Sequence, residues 1–533
     1  MEEKTEILRR VFGHSGFRPG QEQLVDALLS GRDALGVMPT GAGKSMCYQV
    51  PALMRPGITL VISPLISLMT DQVAALRSAG VPAAYLNSSL TPAQLDLATE
   101  RAREGAYRII YVAPERLETY AFRQFAQHAP IALVAVDEAH CVSQWGQDYR
   151  PDYLRIADFV DSLPHRPPVG AFTATATDQV REDILRLVRL RQPLCVSTGF
   201  DRPNLYLEVL KPKDRRQALL HILRLQEEES AVVYCATRKA VEEVTALLQD
   251  AGISAARYHA GLSEVERQQN QEDFQYDRIR VMVATNAFGM GIDKSNIRLV
   301  IHYNMPKSME AYYQEAGRAG RDGEPAACIL LYNGQDIFTA RYLLQHSEPN
   351  PHLTEAQQAQ VRRQDQQRLQ RMIRYATGSG CLRQELLAYF GQRADASCGN
   401  CSRCLGERYL APAPHRQSPA QDSPVPGYTG KVAMRTAVRP ARSKSASTED
   451  PLFERLRLCR LELSKRYKVA PYIICDDRTL RDMARRRPQS RQGLLTVHGM
   501  GEVKAARYGE DFLRVLRLWE EDQRKLRVDK RTV

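Results

Sequence analysis

Short, uninterrupted apolar runs alternate with helical patterns between residue 30 and residue 335. A strand that is apolar at every position must be covered on both faces, as in a parallel sheet with helices on either side. We predict strands at Ala34–Met38, Thr59–Ser63, Ile109–Ala113, Ile131–Val136 and Val169–Phe172, and a second set at Ala231–Cys235, Val281–Ala284, Leu299–His302 and Ala327–Leu331. Because segment 200–204 separates the two sets, the pattern predicts two α/β lobes in tandem.

The charge of the chain is unevenly distributed. Of the formal net charge of +12 over 533 residues, residues 1–404 contribute nothing, whereas residues 451–533 hold 21 basic and 12 acidic side chains. A basic module on a neutral body favours a nucleic acid partner over a membrane surface or a merely soluble basic domain. No apolar run approaches the roughly 18 residues that span a bilayer, and the N-terminus does not read as a secretory signal. We therefore expect a cytoplasmic protein without a membrane partner.

The first predicted strand leads into a glycine-containing loop, and Gly43-Lys44-Ser45 then opens a helix. Such a loop lets backbone N–H groups approach phosphates closely, and the helix N-terminus adds its dipole. In this motif Lys44 would reach the β- and γ-phosphates, and Ser45 would ligate Mg²⁺. Met38 stands where the first glycine of the usual pattern is expected. We predict nucleotide contacts from Thr40, Gly41, Gly43, Lys44 and Ser45.

The strand Ile131–Val136 ends in Asp137-Glu138-Ala139-His140. A carboxylate at the end of a strand, in the same sheet as a phosphate loop, is well placed to hold Mg²⁺ through Asp137. Glu138 is then next in line to orient and deprotonate an attacking water. An exposed acidic turn, the alternative, does not explain two acids directly after six apolar residues. The two motifs in this order predict the binding and hydrolysis of a nucleoside triphosphate.

Four of the eleven cysteines form a cluster with the spacing C-x16-C-x2-C-x2-C, namely Cys381, Cys398, Cys401 and Cys404. Four thiolates suit a tetrahedral Zn²⁺ ion. In a reducing compartment such spacing favours a metal over disulfides. An iron–sulfur cluster also takes four cysteines and is the alternative. The other seven cysteines are isolated, and we expect them to be small buried side chains.

Further motifs resemble the superfamily 2 helicases, and specifically the RecQ family, over residues 8–345. Phe17–Gln21 resembles the family's adenine-reading motif upstream of the phosphate loop. The resemblance implies that Arg18 stacks on the base and that Gln21 pairs with the edge of adenine. His14 stands in the position of the family's base-stacking aromatic residue. The nucleotide would accordingly be ATP.

The second predicted lobe contains a pair of arginines, Arg318 and Arg321, in a segment that resembles helicase motif VI. Residues three apart on one helical turn could share a face. The resemblance implies that both point across the cleft at the γ-phosphate, with Arg321 as the arginine finger and Arg318 as its companion. Four other segments resemble coupling and DNA-binding motifs: Phe172–Ala176, Ala231–Thr237, Tyr258–Leu262 and Ala284–Asp293.

The segment Cys141–Pro151 contains Trp145, Tyr149 and Arg150 between Gly and Pro residues. Trp, Tyr and Arg together form a set that can stack on bases and contact phosphates. Aromatic side chains that plug the core are the alternative. The segment resembles the aromatic-rich loop of RecQ, which links single-strand contact to ATP hydrolysis. We predict DNA-binding or coupling roles for His140, Trp145, Tyr149, Arg150 and Thr173.

The C-terminal part resembles an HRDC domain, for example in Leu452–Leu456 and His498–Gly501. Its basic character suggests auxiliary contact with DNA phosphates, and a protein-docking module or a solvated face is the alternative. Residues 405–450, rich in Pro, Ser and Ala, stand where most RecQ proteins have a winged-helix domain. The predicted boundaries are 1–200 for lobe 1, 201–345 for lobe 2, 346–404 for the zinc-binding subdomain, 405–450 for a flexible linker, 451–520 for the HRDC-like domain and 521–533 for a basic tail.

The sequence as a whole predicts an α/β fold with two tandem RecA-like parallel-sheet lobes, a small zinc-binding helical subdomain and a C-terminal all-α HRDC-like domain. The resemblance implies a monomeric, nucleoid-associated, 3′→5′ DNA helicase with ATP, Mg²⁺ and Zn²⁺ as cofactors. Its partners would be single-stranded and branched DNA, and DNA-repair proteins, in recombination, repair or replication. Two alternatives stay open: an ATP-switched protein that remodels or anneals DNA without processive unwinding, and an RNA helicase.

Overall fold

The computed structural model describes residues 2–64, 66–143, 149–288, 294–346, 353–409 and 450–529. Its first lobe is built on a sheet of seven strands, and all neighbouring strands are parallel. The strands are β1 Ala34–Val37, β2 Ile58–Ile62, β3 Ala83–Leu86, β4 Ile109–Val112, β5 Ile131–Val136, β6 Val169–Thr173 and β7 Leu194–Ser197. Their order across the sheet is β3-β4-β2-β5-β6-β1-β7.

The second lobe has its own parallel sheet, with six strands. The strands are β8 Leu205–Leu210, β9 Ala231–Tyr234, β10 Ala255–Tyr258, β11 Val281–Ala284, β12 Leu299–His302 and β13 Ala326–Leu331. Their order is β10-β11-β9-β12-β13-β8. Because β1, β2 and β6 of the first sheet and β9, β11 and β12 of the second are buried along their whole length, both lobes need helices on both faces.

Helices cover the two sheets and build the C-terminal parts. Lobe 1 has α1 Glu2–Phe12, α2 Gln21–Leu29, α3 Met46–Met54, α4 Ile66–Ser78, α5 Pro92–Arg103, α6 Tyr120–His128, α7 Ile156–Asp161 and α8 Asp178–Leu187. Lobe 2 has α9 Arg215–Leu225, α10 Arg238–Asp250, α11 Glu264–Gln275, α12 Met309–Ala316 and α13 Gln335–Gln345. Short 3₁₀ helices occur at Pro114–Arg116, Ala139–Val142, Pro151–Arg155 and Asn286–Phe288. No helix among the described residues is both long and apolar enough to cross a membrane.

The nine predicted strands are all present, each to within one residue at either end. Four further strands were not predicted: β3, β7, β8 and β10. All four lie at sheet edges, and of these β7 and β10 are only partly buried and lack a continuous apolar run. The edge strand β8 is buried throughout but carries Glu208 in its middle, and burial raises the pKa of this carboxyl group to about 7.

The zinc-binding subdomain consists of α14 Glu355–Thr377, α15 Leu382–Tyr389 and α16 Ser402–Leu405. It is joined to β8 of the second lobe. Leu207 forms a backbone bridge with Cys401, and a guanidinium nitrogen of Arg383 donates to the carboxylate of Asp201 at 2.6 Å. These contacts brace the subdomain against the sheet. Residues 410–449, most of the predicted linker, lie outside the described residues.

The HRDC-like domain consists of α17 Pro451–Tyr467, α18 Pro471–Ile474, α19 Asp477–Arg486, α20 Arg491–Leu494 and α21 Glu502–Asp529. Helix α21 continues past the predicted domain end at residue 520, and Glu, Gln, Lys and Arg, which are frequent in this part of the sequence, are good helix formers. The domain packs against both lobes. The hydroxyl groups of Tyr508 and Ser78 are 3.1 Å apart, and the hydroxyl of Tyr276 donates to the carbonyl of Lys468 at 3.1 Å.

Candidate nucleotide and metal sites

The phosphate loop follows β1 and leads into α3, as the sequence predicts. Gly41 and Gly43 have φ angles of 81° and 78°, in the left-handed region that favours glycine. A Cβ atom at Gly43 would stand 2.7 Å from the side-chain nitrogen of Gln21. The loop therefore needs glycine at this position for both backbone angle and space. The ammonium group of Lys44 donates to the carbonyl of Met38 at 3.3 Å.

Two predicted adenine-reading residues lie directly against the phosphate loop. The side-chain nitrogen of Gln21 donates to the carbonyls of Ala42 at 3.0 Å and of Gly43 at 2.9 Å. The guanidinium of Arg18 donates to the carbonyl of Gly41, and the backbone N–H of Arg18 donates to the side-chain oxygen of Gln21 at 2.8 Å. In this state both side chains hold the loop, and one lone pair of the Gln21 oxygen is left for a base.

The acidic pair comes directly after β5, at the same edge of the sheet as the phosphate loop. Glu138 has a φ angle of 47°, which is uncommon outside glycine and typical of functional sites. The Nδ1 atom of His140 lies 3.2 Å from a carboxylate oxygen of Glu138 and 3.0 Å from the hydroxyl of Thr173. Because Thr173 gives its own hydrogen to the carbonyl of Thr175, Nδ1 of His140 is the donor. The predicted coupling residue His140 thus contacts Glu138, and the predicted coupling residue Thr173 contacts His140.

The two carboxyl groups have different pKa values. Burial, together with the negative charge of Glu138, raises the pKa of Asp137 to about 7. Although burial works in the same direction on Glu138, its contact with His140 holds the pKa of that carboxyl well below its usual range. Glu138 is therefore the ionised member of the pair at neutral pH, as a general base must be.

Arg318 and Arg321 line the same cavity as Lys44, Asp137 and Glu138. The cavity has a volume of about 540 Å³, within the range of small-molecule sites. The two arginines do not lie on a helical turn, contrary to the prediction. Helix α12 ends at Ala316. Residues 317–322 then form a series of turns that carries both arginines, and we call this segment the arginine turns. The structure thus joins residues of both lobes around one cavity.

Arg202 was not predicted, and it connects the two lobes at this cavity. Its guanidinium donates to the carbonyl of Thr40 in the phosphate loop at 2.5 Å. It also donates to three carbonyls of the turns that carry the arginines, those of Gly317 at 3.1 Å, Ala319 at 2.9 Å and Gly320 at 2.8 Å. The only indication of this role in the sequence is that Arg202 lies in segment 200–204, between the two predicted sets of strands.

The aromatic loop is only partly described. Trp145 lies outside the described residues, and Tyr149 is partly buried. The guanidinium of Arg150 donates to the carbonyl of Pro64 at 2.8 Å, and Arg150 lines the nucleotide cavity. A DNA contact by these side chains stays a prediction.

The four predicted metal ligands lie together. The Sγ atoms of Cys381, Cys398, Cys401 and Cys404 are all within 4.8 Å of one another, and those of Cys381 and Cys401 are 4.0 Å apart. Tetrahedral Zn–S bonds of about 2.3 Å would place the sulfur atoms about 3.8 Å apart. None of the four is in a disulfide. The donor set therefore fits one zinc ion with four protein ligands and no open position, as in a structural site.

Four family models match the chain in succession. They are DEAD/DEAH box helicase over residues 18–184, Helicase conserved C-terminal domain over 214–323, RecQ zinc-binding over 334–405 and HRDC domain over 449–516. The ATP-dependent DNA helicase RecQ of Bacillus subtilis (strain 168) is 36% identical over 588 aligned residues, which cover 96% of this chain and 98% of the relative. The chain belongs to the RecQ family.

A second relative agrees with this membership. The ATP-dependent DNA helicase RecQ of Pasteurella multocida is 34% identical, over 96% of this chain and 93% of its own length. Among solved structures, the Mycobacterium smegmatis helicase Lhr bound to ssDNA and AMP-PNP superimposes with a TM-score of 0.51 at 22% identity, over 62% of this chain and 48% of its own. That likeness concerns the fold alone.

Membership in the RecQ family establishes the activity of the chain as that of an ATP-dependent DNA helicase. The RecQ zinc-binding match also favours zinc over the iron–sulfur alternative for the cysteine cluster. A zinc ion held there would brace the subdomain that packs on β8, since it would tie the loop around Cys398 and Cys401 to the start of α15.

For Arg202, we predict that the Arg202→Met variant folds normally but hydrolyses ATP about tenfold to a hundredfold more slowly, because the phosphate loop and the arginine turns lose their shared anchor. The measurement is the steady-state ATPase rate with single-stranded DNA. Arg32→Met is the matched control, since Arg32 binds the carbonyls of Gln192 and Pro193 within lobe 1 only. An Arg202→Met rate equal to the control rate would contradict this role.

For the metal, we predict one zinc ion per chain in elemental analysis. The Cys401→Ser variant should lose the metal, and its free energy of unfolding should fall by several kcal/mol, because the ligands of a structural site fold with the ion. Cys195→Ser, which changes an exposed cysteine outside the cluster, should keep both zinc and stability. Iron in place of zinc, or a stable metal-free protein, would refute the assignment.

Proposed function

We propose that this helicase translocates in the 3′→5′ direction along single-stranded DNA and unwinds duplex or branched DNA. The observation that carries the proposal is the shared cavity, in which Arg318 and Arg321 of lobe 2 face Lys44 and the acidic pair of lobe 1. Because the site is complete only when the lobes meet, hydrolysis can alternate with their separation. The direction itself is taken from the family resemblance.

In this mechanism the chain's own residues have distinct roles. Lys44 and the backbone of the phosphate loop bind the β- and γ-phosphates, and Asp137 and Ser45 would hold Mg²⁺, which neutralises phosphate charge when bound. Glu138 orients the attacking water and accepts its proton. Arg321 stabilises the charge that develops on the γ-phosphoryl group, because a guanidinium is permanently charged and bidentate. Arg318 assists it.

A contact path leads from the hydrolysis site toward the predicted DNA-binding side. Glu138 contacts His140, and His140 contacts Thr173 at the end of β6. A change in the charge or position of Glu138 during hydrolysis would alter the hydrogen bond between His140 and Thr173. We infer that the path couples hydrolysis to DNA, together with Trp145, Tyr149 and Arg150 of the aromatic loop.

The cellular location, the oligomeric state and the biological role of the protein are also part of this proposal. We place the protein in the cytoplasm, at the nucleoid, as a monomer that serves recombination, repair or replication together with DNA-repair proteins. The basic HRDC domain would add contacts to DNA phosphates. The support is the positive charge of residues 451–533 and the similarity of the chain to bacterial RecQ helicases.

One observation supports a second candidate function. The zinc-binding match ends at residue 405 and the HRDC match begins at 449, so the interval is short for the winged-helix domain that most RecQ proteins have there. Without that domain, the ATPase core could remodel or anneal DNA without processive unwinding. An RNA substrate is the less favoured alternative.

The deciding experiment compares unwinding of 3′-tailed, 5′-tailed and blunt DNA duplexes and of a 3′-tailed RNA duplex, with ATPase rates measured alongside. We expect unwinding of the 3′-tailed DNA alone, and its loss in the Lys44→Ala variant. DNA-stimulated hydrolysis without strand separation would favour the remodelling alternative. Unwinding that survives in Lys44→Ala, or a preference for the 5′ tail or for RNA, would contradict the proposal.

A further inference from the structure

The nucleotide cavity has a wall that none of the helicase motifs supplies. Residues of the HRDC domain line it together with the phosphate loop: Tyr472, Ile473, Asp476, Arg478, His498 and Lys504. With the domain in place, the cavity still measures about 540 Å³. The domain therefore closes the site on one side and leaves room for a nucleotide.

Close backbone contacts dock the domain on lobe 1. The N–H of Gly499 donates to the carbonyl of Gly13 at 2.8 Å. A Cβ atom at Gly501 would stand 2.5 Å from the carbonyl oxygen of Val11, so only glycine permits this approach. The rings of His14 and His498 have centroids 5.1 Å apart. The HRDC domain thus contacts the residue that stands in the base-stacking position.

A buried chain of charges docks the domain on lobe 2, beside the arginine finger. Arg298 pairs with Asp322, the residue after Arg321, and lies 3.5 Å from Asp477 of the HRDC domain. Asp477 in turn accepts from Arg460 at 2.8 Å. Burial alone would raise the pKa of Asp477, but Arg460 and Arg298 hold it below its usual range. The domain therefore contacts both lobes at the rim of the cavity.

The HRDC wall presents two cationic side chains, Arg478 and Lys504, and one acidic side chain, Asp476. The side chains of Arg478 and Lys504 make no hydrogen bond or ion pair with any described residue. The carboxylate of Asp476 accepts from the backbone N–H and the hydroxyl of Thr479, each at 2.7 Å, and its negative charge partly offsets that of Lys504. Burial lowers the pKa of Lys504, and burial and the charge of Arg478 lower that of Arg18. Arg478 and Arg18 therefore repel each other, and an anion bound between them would relieve this repulsion.

We propose that the HRDC domain is an integral wall of the ATP site, in which Arg478 and Lys504 attract the anionic nucleotide and His498 covers the end where the base binds. Nucleotide binding and HRDC docking then stabilise each other, because a coupling free energy between two sites acts equally in both directions. The inference concerns the affinity for ATP and is independent of the direction of translocation.

The test measures the affinity of the full chain for a fluorescent, non-hydrolysable ATP analogue with Mg²⁺ and without DNA. We expect Arg478→Gln and Lys504→Gln each to raise the Kd about threefold to tenfold, since each removes one charge from a partly desolvated site. Arg514→Gln is the matched control: Arg514 lies on the same helix as Lys504 and pairs at the surface with Asp511. Its Kd should equal that of the unmodified chain.

A second variant separates docking from charge. Gly501→Ala keeps every cation but prevents the approach to Val11, so we expect it to raise the Kd at least as much as Arg478→Gln. Adding Arg478→Gln to Gly501→Ala should have little further effect, because the side chain is already withdrawn. Circular dichroism and the melting temperature would show that each variant is folded. Kd values within twofold of the control for all variants, or tighter binding in Gly501→Ala, would overturn the proposal.

Discussion

The phosphate loop of lobe 1 and the arginine turns of lobe 2 are in direct backbone contact, and the ATP site depends on this contact. A Cβ atom at Gly41 would stand 3.4 Å from the Cα atom of Arg321, and one at Gly317 would stand 3.2 Å from the Cβ of Thr40. Arg202 fixes the pair of segments by donating to carbonyls on both sides. Any rotation of one lobe against the other therefore moves the arginines relative to the phosphate loop.

The strand order explains how distant motifs reach the same site. The phosphate loop follows β1, the acidic pair follows β5 and Thr173 ends β6, and these three strands are neighbours in the order β5-β6-β1. Because all strands of the sheet are parallel, their carboxyl ends lie at one edge, where α/β proteins bind ligands. The contact of His140 with Thr173 follows directly from this adjacency.

Features with a local pattern could be predicted from the sequence. The nine apolar runs, the glycine loop and the cysteine spacing each have a short-range cause, namely burial on both faces, backbone angle and metal geometry. The strand β8 was missed because Glu208 interrupts its apolar run. Arg202 was missed because its partners are backbone carbonyls far away in the chain, which leave no pattern. The docking of the HRDC domain was missed for the same reason, since backbone contacts such as that of Gly499 with Gly13 depend on shape alone.

The central claim is that lobe 2 completes an ATP site that lobe 1 cannot operate alone. The most direct measurement is single-turnover ATP hydrolysis by the Arg321→Ala variant, together with its affinity for nucleotide and with Arg341→Ala, an exposed arginine of lobe 2 outside the cavity, as the control. The account predicts that Arg321→Ala binds nucleotide within about threefold of the control and hydrolyses it at least about a hundredfold more slowly. Hydrolysis at the control rate would contradict it.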